Sequence, residues 1–304
     1  MATREENPAI ARLAEEIQNF EEIARCLNPS PGERPQLQGI EVIGFTQPLY
    51  SSIGGDHFIY LDFKQRYDLE LRADEARAKG QHAIAERLLS LRKKSGILLA
   101  DVSGHRITDA LVCAMLHQAF LLGVNYELEL FGEVTTRLFE YINTRFCKTT
   151  AINRFFTMIY GEVSHEGRIR FISAGHPPPV IFSREYGRFM PIDRSRLVTF
   201  PPVGIMPSEA DPDERRRTQS PDLKREYEVN EIELLSPGDV ALLCTDGLLE
   251  HDQGEFYVNQ LEPILARNAS GSAVEMLNAI QDGIREAGPA VDDISVLLIR
   301  RAQN

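Results

Sequence analysis

Residues 155–174 read FFTMIYGEVSHEGRIRFISA. Two runs rich in β-branched and aromatic residues, FFTMIYGEV and RIRFISA, flank the polar, glycine-bearing segment SHEG, which has the length of a short hairpin turn. The spacing predicts an antiparallel strand pair. Upstream, EVIGFT, HFIYLDF and GILLADV read as further strands, the last a continuous apolar run of the kind buried on both faces. Two helices are expected between that run and the hairpin. Residues 108–124 are apolar nearly all round, and residues 130–146 carry a stripe of Val134, Leu138, Tyr141 and Ile142. Downstream, after PPPVIF, the runs EIELL and VALLCT flank SPGD, and Pro237–Gly238 predicts a second hairpin. Helices over about 258–267 and 272–286 precede a last strand, ISVLLIRR. Hairpins on both sides of a helix pair predict an α+β fold with two packed antiparallel sheets and helices outside, not an alternating βα repeat.

The flanks carry less of the core. Ile10, Leu13, Ile17, Phe20, Ile23 and Leu27 recur at helical spacing, with Glu15, Glu16, Glu21 and Glu22 outside the stripe, so residues 8–27 predict an amphipathic helix. NPSPGERPQLQG, residues 28–39, reads as a linker. The expected division is therefore 1–38, helix and linker, and 39–304, the main domain. Within it, residues 64–95 predict a helical insertion of one or two surface helices, with Ile84, Leu88 and Leu91 on one stripe. Residues 208–226 are charged, proline-containing and poor in apolar side chains, which predicts a mobile loop.

Across 304 residues, 43% are hydrophobic, enough to bury a sizeable core. The net charge of -12 argues against nucleic acid as the main partner, because affinity there comes from Lys and Arg neutralising phosphates. Cys26, Cys113, Cys147 and Cys244 are far apart and form no CxxC, which predicts free thiols and a reducing cytoplasm. No signal-peptide pattern opens the chain, and no segment is expected to approach the apolar length of a membrane span.

Four aspartates share one placement, each beside a strong strand: Asp56 in IGGDHF, Asp101 in LLADVSGH, Asp246 in LLCTDGLLE, and Asp292 or Asp293 in VDDISVLL. Any one of them beside glycine could be a turn or a helix cap. Several carboxylates at the ends of buried strands need partners or cations, because unpaired buried charge is costly and like charges repel. Gly54, Gly55, Gly104 and Gly247 allow tight turns and close approach of backbone carbonyls. An all-oxygen set favours hard ions such as Mg and Mn over Zn, and two such ions about 3.5 to 4 Å apart suit phosphoryl displacement by activated water.

Read in order, GGDHF, ADVSGH with the helix DALVCAMLHQAF, FFTMIYGEV, RFISAGHPPPVIF, PPVGIMP, SPGDVALLCTDGLLEH and VDDISVLLIR resemble the metal-dependent protein phosphatases of the bacterial SpoIIE and RsbU-like branch, relatives of the type 2C phosphatases. The likeness spans about residues 40–301. It implies a four-layer α-β-β-α sandwich with a metal cleft at one edge, and a serine/threonine phosphatase using two Mn or Mg ions, or three. By the resemblance Asp101 bridges the metals, the Val102 carbonyl completes one coordination sphere, Asp246 and Asp292 hold the other ion, and Asp56 sits on the first ion's side, directly or through water. These four aspartates are then the catalytic set. Gly55, Gly247 and Asp293 support them, Asp293 by orienting its neighbour. The resemblance also implies a phosphorylated protein substrate, such as an anti-sigma-factor antagonist in a partner-switching or stress pathway. The N-terminal helix has two readings, a helix covering the domain or a homodimer contact with the same helix of a second chain, as such linkers make in this family.

The chain departs from the family pattern as well. Ile59 stands where the family carries an Asp three residues after GGD, and His57 replaces an aromatic residue. SGHRITDAL places Arg106 and Asp109 near the expected mouth. Arg106 is a candidate phosphate binder, since guanidinium suits such oxygens, with a solvated helix-start arginine as the competing reading. His105 is a candidate substrate-side acid, whereas His176, in AGHPPP, reads better as a residue fixing its loop. Cys244, inside an apolar run, reads as a packed thiol. Competing functions are a two-metal phosphodiesterase, disfavoured by the acidic surface, and a catalytically silent binding protein, opposed by the retained aspartates.

Overall fold

The computed structural model describes residues 8–29, 31–50, 53–104, 108–148, 155–213, 222–233 and 236–302. Two antiparallel sheets form its centre. Sheet A has the strands β1 (Gln36–Leu37), β2 (Ile40–Gln47), β7 (Val180–Ser183), β8 (Arg188–Met190), β10 (Val240–Cys244) and β11 (Ile294–Arg301), in the order β1-β2-β11-β10-β7-β8. Sheet B has β3 (Asp56–Asp62), β4 (Lys94–Val102), β5 (Phe156–Ser164), β6 (Arg168–Ala174) and β9 (Asn230–Glu233), in the order β3-β4-β5-β6-β9. The expected hairpin over 155–174 is present, with Ile159 opposite Ser173 and Val163 opposite Ile169.

Strand alternation divides the core into three layers, because successive side chains point to opposite faces. Phe58, Tyr60, Ile97, Leu99, Ala241, Leu243, Leu297 and Ile299 fill the space between the sheets. Ile59, Leu61, Leu98 and Ala100 face outward from sheet B onto α5 (Asp109–Phe131) and α6 (Thr136–Lys148). On the outer face of sheet A, Leu242, Val296 and Leu298 pack on α8 (Leu261–Arg267) and α9 (Ala273–Ala287). Helix α9 starts with a reciprocal cap between Ser272 and Glu275, which satisfies two otherwise unpaired amides. The order of layers is helix, sheet, sheet, helix, as the resemblance implied.

Three expectations change. The runs at 231–244 form strands but no hairpin: β9 joins β6 in sheet B, while β10 joins β7 and β11 in sheet A. Arg168 reaches Glu231 and Glu233, and Arg170 reaches Glu231, so cross-strand ion pairs match β9 to β6. The second change is in the charged segment 208–226. Its described ends are docked: Lys224 is buried and its ammonium meets Glu140 of α6 at 2.8 Å, while its backbone N–H donates to the Pro207 carbonyl. Third, α5 is long and apolar enough, by length and composition, to cross a membrane, with a mean hydropathy of 1.3. In the fold, Leu116, Phe120, Val124 and Leu128 of that helix lie in the core against sheet B.

The insertion comprises α2 (Phe63–Arg66), α3 (Leu69–Ala78) and α4 (His82–Ser90). Phe63, Leu69, Ala73, Leu88 and Leu91 are buried in the same core as α5, so these helices extend the outer layer of sheet B. The N-terminal helix α1 (Pro8–Arg25) meets the domain through Phe20 and Ala24, which pack with Ile53 and Ala110. Ile10, Leu13 and Ile17 of its stripe are exposed.

Candidate metal centre

The register of sheet B places Asp56 directly opposite Asp101. Both have the parity of residues facing the second sheet: Asp56 that of Phe58 and Tyr60, Asp101 that of Ile97 and Leu99. Asp56 meets Thr245 and Ser295, which share parity with Leu243 and Leu297 on sheet A. The Thr245 hydroxyl donates to Asp56 Oδ2 at 2.7 Å and accepts the Ser295 N–H at 3.0 Å. Thr46 and Ser295 exchange a hydroxyl hydrogen bond of 2.7 Å beneath them. The inner faces of the two sheets therefore join through hydroxyls where the carboxylates begin.

Asp246 follows Thr245 as the first residue of α7 (Asp246–Glu250), and Asp292 lies in the turn before β11. Burial pushes Asp101 up to about 8, with the negative fields of Asp246 and Asp292 and a hydrogen bond with Asp246 adding to the effect. Asp56 is also pushed well above the ordinary carboxylate range, first by burial and then by Asp101, against the hydroxyls of Thr245 and Ser295. Asp246 and Asp292, brought from separate parts of the chain, thus both act on Asp101.

Asp293 is buried and has a different task. Its Oδ1 accepts the Leu49 N–H and its Oδ2 the Gly55 N–H, each at 2.6 Å. This fastens the segment leading into Asp56 to the segment leading into β11. Asp292, half-buried, accepts the Asp293 N–H at 2.8 Å. The glycines make this packing feasible. A Cβ on Gly247 would fall 2.0 Å from the Asp293 carbonyl oxygen, and one on Gly55 would fall 2.3 Å from the Gly104 carbonyl and 3.0 Å from that of Val102.

Among the described residues, no three His, Cys, Asp or Glu side chains form a ready-made ligand set for an ion. The donor chemistry nevertheless fits hard cations. Every candidate donor is an oxygen, and the crowding of negative charge around Asp101 and Asp56, which raises the proton affinity of both, is an arrangement a divalent ion relieves.

His105 and Arg106 lie outside the described residues. Asp109 is buried at the start of α5. The Nδ1 of His176 lies 2.9 Å from the Thr157 hydroxyl, and its carbonyl accepts from Ser173, which matches a loop-fixing role. Burial pushes Cys244 up to about 12, in keeping with a packed thiol. Ile59 is buried on the helix side of β3. Thr245 and Ser295 were not foreseen, and neither was the contact between His57 and His117. Hydroxyls beside acids are too common to single out by pattern, and the parity of TD before a helix was the one available signal for Thr245.

The family model for Stage II sporulation protein E (SpoIIE) matches residues 92–302. No curated protein matches the chain in sequence. Among solved structures, the RsbU and RsbW domains of Rv1364c from Mycobacterium tuberculosis are similar, with TM-score 0.60 and 20% identity over 88% of this chain and 61% of that one. The SiaA-PP2C domain of Pseudomonas aeruginosa gives TM-score 0.62 and 16% identity over 96% of this chain and 98% of that one. The PP2C phosphatase domain and regulatory-domain fragment of the cell fate determinant SpoIIE from Bacillus subtilis gives TM-score 0.54 and 14% identity over 88% and 64%. The chain thus spans less than two thirds of the first and third of these. At such identities the likeness establishes the fold.

Proposed function

The chain belongs to the SpoIIE family of bacterial metal-dependent protein phosphatases, and from that membership we propose that it hydrolyses phosphoserine or phosphothreonine in a protein substrate. The observation that carries this reading is the convergence of Asp246 and Asp292 on Asp101 at the edge between the two sheets.

Asp101, opposite Asp56, would hold both ions, with the Val102 carbonyl completing one coordination sphere and Asp246 and Asp292 holding the second ion; the facing register and the negative fields of Asp246 and Asp292 at Asp101 support this reading. Bound there, two Mn or Mg ions would supply activated water and charge neutralisation for in-line displacement at phosphorus, and a third would be an addition to that pair. The protein's own residues set the geometry. Thr245 holds one Asp56 oxygen, and Asp293 holds the Leu49 and Gly55 amides. Gly247 lets α7 start against the Asp293 backbone.

The substrate class proposed is a small phosphorylated signalling domain, such as an anti-sigma-factor antagonist, in a partner-switching or stress pathway. The boundary expected at residue 39 is moved ahead of β1, because Gln36 and Leu37 pair with β2 in sheet A, and α1 is taken to lie outside the catalytic unit. The exposed stripe Ile10, Leu13 and Ile17 supports homodimerisation through α1. The scattered cysteines Cys26, Cys113 and Cys244, which form no disulfide, support a reducing cytoplasm.

The decisive test is phosphate release from p-nitrophenyl phosphate and from phosphoserine proteins with Mn, Mg or chelator, for the wild type, Asp101→Asn and Asp246→Asn. Metal-dependent turnover that falls by at least about 100-fold in both variants is expected. Turnover on a phosphodiester but not on phosphoserine would point to the phosphodiesterase reading. Absence of turnover on every ester would leave the chain a binding protein.

A further inference from the structure

Helix α5 touches the strand segment around Asp56 at two points, one residue to each side. Cys113 donates its thiol to the Gly55 carbonyl, with Sγ 3.2 Å away. One turn further along, His117 Nδ1 lies 2.9 Å from Nε2 of His57, and the rings are tilted by 53° with centroids 5.1 Å apart. Positions four apart lie on one face of a helix, so both contacts come from a single face of α5.

His57 is buried and, by the alternation of β3, faces the helix layer while Asp56 faces the second sheet. Burial pushes both imidazoles towards the neutral form, which leaves one ring donating and the other accepting. His117 also lies within the field of Arg66 and Glu33, which pair at 3.1 Å. Glu33 precedes β1 and Arg66 closes α2, both outside the residues matched by the family model.

We propose that α5 clamps the Gly55–His57 segment through Cys113 and His117, making His117 a positioning residue that sets Asp56 for metal binding. The proposal rests on the metal-centre reading above. Asp56 opens β3, so its carboxylate direction depends on how the residues on either side of it are held. Asp293 fixes the Gly55 amide and Thr245 fixes one carboxylate oxygen. The α5 contacts fix the Gly55 carbonyl and the residue after Asp56, so the clamp acts from the helix layer, the face of sheet B away from the Asp56 carboxylate.

The test is Mn(II) binding to the full chain, read as free Mn(II) by electron paramagnetic resonance, alongside the thermal midpoint of the metal-free protein. His117→Leu should weaken Mn(II) binding about tenfold, the loss typical when a group that orients a ligand is removed. His117→Asn, whose amide can take the place of Nδ1, should recover most of it. Binding within twofold of wild type in His117→Leu, or no recovery in His117→Asn, overturns the proposal.

The double variant His57→Phe/His117→Leu leaves no unpaired imidazole and carries the same tenfold expectation if the single variant does not fold. A double variant that cannot fold also overturns the proposal, since the pair would then hold the fold and not the carboxylate. Wild type that binds no Mn(II) overturns the metal-centre reading together with this one. Wild type that binds while the His117 variants are unshifted overturns the clamp alone.

Discussion

Asp293 shows how one side chain can control a centre it does not enter. Both of its oxygens accept backbone N–H groups, from half-buried Leu49 and from buried Gly55. Asp293→Ala would leave both amides unpaired, and hydrogen bonds to a charged acceptor contribute roughly 1.5 to 3 kcal/mol each. A loss on the order of 3 kcal/mol in urea unfolding is therefore expected, with Asp293→Asn intermediate because one acceptor oxygen remains. Gly247→Ala should reduce phosphate release without removing any ligand, since its Cβ would collide with the Asp293 carbonyl and displace the turn carrying Asp292. The Asp292–Asp293 pair also marks a limit of sequence reading at this scale. Two adjacent carboxylates look alike in a string, and their roles separate only once the amides facing each are placed. The pair His57 and His117 was illegible for a related reason: sixty residues separate them, and nothing in either local pattern points to the other.

At the scale of elements, runs of apolar residues identified the strands because burial on a pleated surface imposes its own pattern. The central hairpin and the placement of the aspartates beside strands were legible on the same ground. Partner choice was not. The runs at 231–244 look like a hairpin locally, yet Glu231 and Glu233 pair with arginines of β6, and the chain crosses between the sheets. Composition likewise suggested a mobile segment over 208–226, and a single lysine docks its described end at 222–226. Lys224 bonds Glu140 at 2.8 Å and stands 3.5 Å above the centre of the Tyr227 ring, while Glu140 also accepts the Tyr227 N–H at 2.6 Å. Burial lowers the Lys224 ammonium's proton affinity, while Glu140 opposes that shift. Removing one partner of such a buried pair strands the other charge, at about 3 to 5 kcal/mol. Glu140→Ala should lower the urea midpoint accordingly, and Glu140→Leu/Lys224→Met should recover much of the loss. A single variant with wild-type stability would show that the pair is not what docks the segment.

For the whole molecule, the carboxylate edge and the buried histidines pull stability in opposite directions as pH changes. His57 and His176 are pushed down to about 3 by burial, from an ordinary value near 6.5, so the unfolded chain takes up more protons between those limits. Their effect is stability that is present above about pH 6.5 and lost as pH falls towards 3. Asp101 behaves the other way. In the metal-free fold it holds its proton up to about 8, whereas the unfolded carboxyl releases it near 3.8, so metal-free stability falls as pH rises through that window. Above pH 6.5 the histidines are neutral in both states, and the carboxylates dominate the slope. A divalent cation takes the place of the proton at this edge, and binding releases protons. The rise in thermal midpoint caused by Mn over chelator should therefore be larger at pH 8.5 than at pH 6.5. Asp101→Asn, which cannot ionise there, should shrink that difference. Equal stabilisation by Mn at both pH values in the wild type would mean that the ion binds away from Asp101, and the strand-end aspartates would then need another explanation.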